Sequence, residues 1–260
     1  MSITKNIRKI LLVCISAIGG AGLIVLIIAA VNARNHKVCE GYEIEIKDNG
    51  HKTFFIDKKD VEKVLTANKT IVFKNQPMSS INLGLVESRI KKEPWVKDAQ
   101  LFFDNSDVLK VIVEQRQPIA RIFSSSGGSF YIDSSGKRMP LSDKIPAKLP
   151  VFTGYPIDSK KDRTPSDLKL IRDLKSLSIF LLNNPFWMAQ ISQIDITPSR
   201  EFEMVPTVGN HIIEFGDGTD HEEKFRKLFV FYKQVLAKSG MDKYDRIKVQ
   251  FDDEIIGVKK

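Results

Sequence analysis

The sequence is poor in the residues that form disulfide frameworks and metal sites. Its 260 residues include two cysteines and four histidines. Cys14 lies within an apolar run and Cys39 lies beyond it, so the two cannot pair within one chain if one is in lipid. No histidine pair has His-x-x-x-His spacing, and neither cysteine belongs to a Cys-x-x-Cys motif. We therefore expect neither a metal site nor a cofactor.

Recognisable catalytic motifs are also missing. The chain has no Gly-x-Ser-x-Gly elbow, and the Ser/Gly-rich residues 124–129 lack the lysine of a phosphate loop. Asp133 lies just before a turn, where an aspartate usually caps its own backbone. Cys39 falls in a predicted linker. The sequence thus predicts a protein that is not an enzyme and has no small-molecule substrate. A membrane-tethered hydrolase using Asp133 or Cys39 is the less favoured alternative.

Charge of one sign is not concentrated anywhere along the chain. There are 40 Lys and Arg against 32 Asp and Glu, which gives a net charge of +8. The basic residues are interleaved with acids, whereas nucleic-acid binding requires a basic face with residues that read the grooves. We predict no nucleic-acid partner and favour a solvated basic surface near phospholipid.

One long apolar segment dominates the amino-terminal region. Residues 10–31 contain no charged residue and no proline. A helix of that length spans about 33 Å at 1.5 Å per residue, which matches a hydrocarbon core of about 30 Å. We predict a membrane-spanning helix that follows a cytoplasmic tail of residues 1–9. A cleaved signal peptide is the rival interpretation, but its apolar part is usually about 7–15 residues long.

The next eighty residues predict a small α+β domain, over residues 38–116. Residues 42–46 alternate as a strand, Asp57 with Asp60 is suited to cap a helix, and a second helix begins near Ser79 or Ser80 and ends at Glu93-Pro94. Two strands follow, at 96–103 and 108–113. The predicted element order is β-α-α-β-β.

Residues 117–260 predict a mixed β-sheet domain with flanking helices. Short strands and turns lead to a helix that starts at Thr164-Pro165, and three more strands reach the turn at 216–218. Thr219 and Glu222 have the spacing of a capping box for a helix that runs to Ser239. Phe225, Leu228 and Phe229 are predicted core residues of this helix. Predicted strands at 245–251 and 254–258 close the chain.

The layout resembles the FtsQ/DivIB family of bacterial cell-division proteins, in the short form found in Bacteroidetes-type bacteria. Three segments resemble family motifs and occur in the family's order. They are residues 111–120 (Val-Ile-Val-Glu-Gln-Arg-Gln-Pro-Ile-Ala), 130–137 (Phe-Tyr-Ile-Asp-Ser-Ser-Gly-Lys) and 149–154 (Leu-Pro-Val-Phe-Thr-Gly). The resemblance implies a membrane helix, a POTRA domain and a β-domain. This sequence differs from enterobacterial members of the family near the end of the last strand, where Val258-Lys-Lys replaces their aromatic residue.

The resemblance further implies a scaffold of the inner membrane at the division septum, with a periplasmic body. The implied partners are FtsB/FtsL-like single-pass proteins, bound by a strand added to the edge of the β-domain. The last strands suit that role, because residues 254–258 carry little charge in their middle. In the alternative, this strand is internal and Ile255 or Ile256 packs in the core. The predicted partner-binding residues are Arg246, Lys248, Gln250, Ile255, Ile256 and Val258.

A second functional hypothesis uses the same predicted POTRA domain. A protein-export or outer-membrane assembly module would bind unfolded chains and would usually carry several POTRA copies or a barrel. The sequence predicts one copy and no series of barrel-length strands, so we rank this hypothesis second.

Overall fold

A computed structural model describes residues 18–27, 37–47, 55–66, 73–142, 148–156, 164–251 and 254–260. Residues 18–27 form helix α1, whose side chains are exposed. Within these ranges, no helix combines the length and apolar character needed to cross a membrane. The rest of the predicted membrane helix, at 10–17 and 28–31, and the predicted tail at 1–9 lie outside the described residues.

Contacts between residues divide the chain into two compact units. The first comprises Met1–Gly50 and Ile56–Gln115, and the second comprises His51–Phe55 and Arg116–Lys260.

Among its described residues after α1, the first unit forms one three-stranded sheet with two α-helices. The sheet order is β1-β3-β2, with β1 parallel and β2 antiparallel to the central β3. A short 3-10 turn, Met78–Ser80, precedes the second helix. The elements are β1 (Gly41–Lys47), α2 (Lys58–Thr66), α3 (Leu83–Ile90), β2 (Val96–Phe103) and β3 (Val108–Gln115). This is the predicted β-α-α-β-β order.

Helix starts in this unit depend on short polar side chains. Asp57 accepts the backbone N–H of Asp60 at 2.9 Å, and Asp60 accepts that of Asp57 at 3.1 Å, as the sequence predicted. The predicted start of the second helix was wrong. Asn82 is the N-cap of α3 and accepts the N–H of Leu85 at 3.0 Å. This helix also ends earlier, at Ile90, and residues 91–95 form turns and a bend that lead to β2.

Cys39 was wrongly assigned to a linker. It is fully buried in the core of the first unit, and its thiol donates to the carbonyl oxygen of Gly41 at 3.1 Å. The same core also contains Val61, Leu65 and Val111. A cysteine behaves as a small apolar residue in such surroundings, so local polarity in the sequence could not reveal this burial.

The second unit contains a nine-stranded mixed sheet in the order β12-β11-β10-β9-β8-β7-β4-β5-β6. Its first strands are β4 (Pro118–Ser124), β5 (Ser129–Asp133), β6 (Arg138–Met139) and β7 (Val151–Tyr155). Helices α4 (Pro165–Asn183) and α5 (Pro185–Gln190) follow, and then β8 (Ile191–Ile196), β9 (Phe202–Pro206) and β10 (Ile212–Gly216). Helix α6 (His221–Phe231), a π-helical turn (Tyr232–Leu236), α7 (Ala237–Ser239), β11 (Tyr244–Lys248) and β12 (Ile256–Lys259) complete it.

The core of the second unit lies between the helices and one face of the sheet. Phe202 and Met204 of β9 are fully buried and belong to one cluster with Leu174 of α4 and Phe225 of α6. Glu203 points to the opposite face, as strand alternation requires. That opposite side, which the cluster does not use, is called the open face below. Phe225 and Leu228 are buried as predicted, and Phe229 is half-buried against the same core.

Two helix starts in this unit were predicted, and one was wrong. Thr164 and Asp167 form a capping box at the start of α4, as the Thr-Pro signal indicated. Thr219 does not cap α6, because its hydroxyl donates to Asp217 at 2.5 Å. The N-cap position belongs to Asp220, which has φ = 47°, and the helix begins at His221. Asp217 also accepts hydrogen bonds from Lys224 and Lys169. These ion pairs hold Asp217 in a position where it binds Thr219, so Thr219 does not cap the helix.

Candidate functional site at the sheet edge

Strand β12 lies at one edge of the nine-stranded sheet. Among the described residues its one strand neighbour is β11, which runs antiparallel to it. Arg246 lies opposite Val258, and Lys248 lies opposite Ile256. An edge strand leaves one row of backbone N–H and C=O groups without a ladder partner. β12 therefore presents a backbone template that another strand could extend.

The middle of this edge has little charge protection. Ile256 and Val258 are 37% and 39% exposed, and Gly257 between them has no side chain. Charged residues flank this pair, with Glu254 before it and Lys259 and Lys260 after it. Natural edge strands are commonly protected by a central charge, a proline or a bulge that disfavours pairing. The exposed apolar pair on β12 is instead typical of a strand that accepts a partner.

The two faces of β12 differ in character. Directly opposed cross-strand residues share a face, so Ile256 and Val258 lie beside Lys248 and Arg246 on the open face. Gly257 faces the helices. A Cβ atom at this position would lie 2.6 Å from Cε1 of Tyr244 and 3.4 Å from Cζ of Phe231. Tyr244 thus occupies the space that a side chain at position 257 would need.

The positive charges predicted to bind a partner are paired within the chain. Arg246 donates to Glu203 at 3.0 Å and to Glu214 at 2.8 Å, and Lys248 lies 3.1 Å from Glu214. Hydrogen bonds to Glu214 and Glu203 raise the pKa of Arg246. Burial opposes the ionisation of Glu214, but hydrogen bonds from Arg246 and Lys248 outweigh it and lower its pKa. A partner that contacts Arg246 must therefore compete with this ion-pair ladder.

The other two predicted contact residues lie elsewhere. Gln250 follows β11 and packs at the end of β10, where a Cβ on Gly216 would lie 2.9 Å from the Gln250 Cβ. Ile255 is half-buried against the core. The structure therefore places Arg246, Lys248, Ile256 and Val258 side by side on the open face and separates Gln250 and Ile255 from them.

A groove beside β12 was not predicted from the sequence. It lies between α6 with its π-helical turn and the residues just before β12. Val230, Phe231 and Val235 form its apolar wall, and Ile255 faces them. A sequence signal for it is Val230, an apolar residue outside the predicted core stripe, which is 40% exposed.

The motifs that carried the family resemblance have structural roles in the second unit. Arg116, from the first motif, donates from Nη1 to Oδ2 of Asp133, from the second motif, and both residues are buried. Oδ1 of Asp133 accepts the backbone N–H groups of Ser135 at 2.9 Å and Lys137 at 2.8 Å. Asp133 thus caps its own turn, as predicted.

The third motif ends in a glycine whose identity is required by its position. Gly154 has φ = 71°, in the left-handed region. A Cβ there would lie 2.5 Å from the carbonyl oxygen of Ile196 in the neighbouring strand β8. Any side chain at this position would force β7 and β8 apart.

The two residues named for a hydrolase are poorly arranged for catalysis. Burial opposes the ionisation of Asp133, but hydrogen bonds from Ser135 and Arg116 outweigh it and hold its pKa below the ordinary value, so it is not a proton donor near neutral pH. The Cys39 thiol is fully buried. No group of three or more potential metal ligands occurs within the described ranges.

Comparisons with known proteins agree with this architecture. A family profile described as "FtsQ/DivIB, C-terminal related" matches residues 117–258, more than half of the chain, and a "POTRA-like domain" profile matches residues 37–114. The chain is 27% identical over 191 residues to the cell division protein FtsQ of Salinibacter ruber, covering 69% of this chain and 70% of the relative. It is 26% identical over 272 residues to FtsQ of Geotalea daltonii, covering 98% of this chain and 90% of the relative.

Proposed function

The chain belongs to the FtsQ/DivIB family of cell-division proteins, and from that premise we propose that it is a membrane-anchored, non-enzymatic divisome scaffold that binds a partner strand at β12. The observation that carries this proposal is the edge position of β12, with Ile256 and Val258 exposed on it. Backbone hydrogen bonds would supply affinity, and alternate side chains would supply specificity.

The proposed layout follows the sequence. The tail 1–9 is cytoplasmic, residues 10–31 span the inner membrane, the POTRA domain occupies 38–116 and the partner-binding domain occupies 117–260. The proposed partners are FtsB/FtsL-like single-pass proteins at the septum. Anchoring both proteins in one bilayer raises their effective concentration, so a four-residue edge strand of modest affinity suffices.

Within the proposed site, we assign the residues unequal roles. Ile256 and Val258 are exposed and apolar, so they would pack directly against the added strand. Arg246 and Lys248 would instead hold the open face in place through Glu203 and Glu214. Gln250 and Ile255 would support the ends of this region without lying on the same face.

Binding of the full chain in nanodiscs to its own bacterium's FtsB/FtsL-like protein tests the proposal. The double variant Ile256→Glu with Val258→Glu should weaken binding at least about tenfold, because it places two charges on the edge that must pair. Leu168→Glu is the matched control, since Leu168 is 51% exposed on α4, away from β12. Equal binding by the double variant and the wild type would refute the edge-strand site.

The export-module hypothesis has no comparable support. It shares the POTRA-like match at residues 37–114, but the FtsQ/DivIB profile covers the sheet that carries β12.

A further inference from the structure

A buried polar contact connects the sheet to the helical layer of the second unit. His211 lies immediately before β10 and is 2% exposed. Its Nε2 atom is 2.9 Å from the hydroxyl of Tyr232, and the two rings meet edge to face at 5.8 Å. Tyr232 is also buried and is the first residue of the π-helical turn. This contact therefore fixes the turn relative to β10.

The other side of the imidazole is tightly enclosed. A Cβ on Gly209 would lie 2.8 Å from both Cε1 and Nδ1 of His211 and 3.5 Å from Cβ of Met241. Nδ1 is buried and makes no hydrogen bond of normal geometry. A neutral ring tolerates this best with its proton on Nε2, directed at Tyr232, and with a bare lone pair at Nδ1. Protonation would add an N–H at Nδ1 and would bury a positive charge, a cost that the nearby Met241 carbonyl does not offset.

The charged groups around the ring also favour its neutral form. Burial lowers the pKa of His211, and the positive charge of Lys260 lowers it further, whereas the Met241 carbonyl and the Asp242 carboxylate oppose the shift without reversing it. Burial raises the pKa of Tyr232 to about 12, with a hydrogen bond from Gln190 in opposition. Both partners are therefore neutral near pH 7, and only His211 changes charge on mild acidification.

The contact lies next to both supports of the candidate edge. Gln234 and Val235 of the π-helical turn line the groove that faces Ile255, just before β12. Lys260, just after β12, donates its N–H to the carbonyl oxygen of Lys243, just before β11. A positive charge on His211 would be buried and would repel Lys260, the residue that follows β12.

We propose that the buried, uncharged imidazole of His211 is a proton-sensitive latch that keeps β12 ordered, and that acidification around this domain loosens the edge strand. The further consequence, that acidification also weakens partner binding, rests on the proposed function. The sign follows from linkage. A histidine whose folded pKa is lowered stabilises the fold above its unfolded pKa of about 6.5, and that stabilisation is lost as pH falls through the folded pKa.

Hydrogen exchange of the full chain in nanodiscs tests the latch without any partner. Protection factors, which correct for the intrinsic pH dependence of exchange, are compared between pH 7.5 and pH 5.0 for peptides covering 254–260 and for reference peptides covering β8 and β9. We expect protection of β12 to fall at least about tenfold more than that of the reference peptides.

Two histidine variants give the comparison. His211→Gln offers an amide N–H to Tyr232 but does not titrate, so its β12 protection should not change with pH beyond that of the reference peptides. His221→Gln, on α6, is the matched control and should behave as the wild type. If β12 protection in His211→Gln falls with pH as much as it does in the wild type, the latch is overturned.

A second measurement covers the case in which His211→Gln fails to fold. The Cε1 proton of His211 is followed by NMR in the wild type, and its titration midpoint gives the folded pKa. Loss of β12 protection must begin below about pH 6.5 and level off at that folded pKa. Loss that continues below the folded pKa overturns the latch. Loss of FtsB/FtsL-like binding at pH 5.0 is expected in the wild type and not in His211→Gln. If the wild type binds at neither pH, the proposed function fails, and the exchange result still decides the latch.

Discussion

The contact between Gly257 and Tyr244 allows a sharp test of how the edge strand is held. Gly257→Ala adds a Cβ that would lie 2.6 Å from Cε1 and 2.7 Å from Cδ1 of Tyr244. The Tyr244 ring cannot move away freely, because it is only 9% exposed and packs edge to face with Phe231 at 5.6 Å. The strand and the ring therefore cannot both keep their positions.

The expected magnitude follows from two contributions. Overpacking a filled site costs about 1–3 kcal/mol, and losing the aromatic pair costs about 0.5–1.5 kcal/mol if the ring moves. Because β12 is a four-residue terminal strand, detaching it limits the global cost. We expect β12 to lose protection about 10- to 100-fold, at about 1.4 kcal/mol per factor of ten. The global melting temperature should fall by only about 2–4 °C per kcal/mol that reaches it.

Hydrogen exchange over residues 254–260, together with thermal unfolding, measures both effects. Gly128→Ala is the matched control, because Gly128 has open space around its Cβ position and no positive φ. Adding Tyr244→Leu to Gly257→Ala should cost less than the sum of the single variants, since the clashing ring is removed. Unchanged β12 protection in Gly257→Ala, or equal loss in Gly128→Ala, would refute the reasoning.

Three further predictions concern the stability of the second unit. Asp133→Asn leaves the buried Arg116 without its carboxylate and should lower the free energy of unfolding by about 3 kcal/mol, measured by urea denaturation. Because the pKa of Asp133 is lowered, its stabilisation should be complete above about pH 4 and lost at lower pH. A variant as sensitive to acid as the wild type would contradict this. Gly154→Ala should destabilise by about 2 kcal/mol or more, since its Cβ would lie 2.5 Å from a backbone oxygen at φ = 71°, and a melting temperature like that of Gly128→Ala would contradict it. Lys224→Met removes a buried ammonium group that donates to the Asp217 carbonyl at 2.9 Å, and it should lower the free energy of unfolding by about 1–3 kcal/mol in the same urea assay. An unchanged free energy of unfolding would show that the pairing of Asp217 with Lys169 is sufficient.

Local sequence patterns predicted most of the helices and strands. Apolar periodicity located α2, α3 and the long helix α4, because each must bury one stripe against a sheet. The errors fall at the boundaries. Asn82 rather than Ser79 or Ser80 caps α3, and Thr219 is held by Asp217 instead of capping α6. Both errors have one cause, since several side chains in each segment had the right chemistry and the surrounding fold selected among them.

The candidate site was only partly predictable. Low charge near the chain end predicted a strand at 254–258, and the structure has β12 at Ile256–Lys259 on the sheet edge. Ile256 and Val258 are exposed on it, whereas Ile255 is half-buried against the core. The pairing of Arg246 with Glu203 and Glu214 was not predictable, because these acids lie 43 and 32 residues away in the sequence. The groove beside Ile255 was missed for the same reason, as its wall belongs to α6 and the π-helical turn.

By itself, the sequence determined the order of the elements, the faces that strand alternation and helical periodicity bury, and the three motifs that carry the family resemblance. Those properties depend on residues close together in the chain, where propensity and spacing act directly. Only the tertiary structure decided that β12 lies at the sheet edge, that Tyr244 covers Gly257 and that His211 meets Tyr232 across 21 residues. Strand order and register depend on the packing of the whole sheet and its helices, which no local pattern contains.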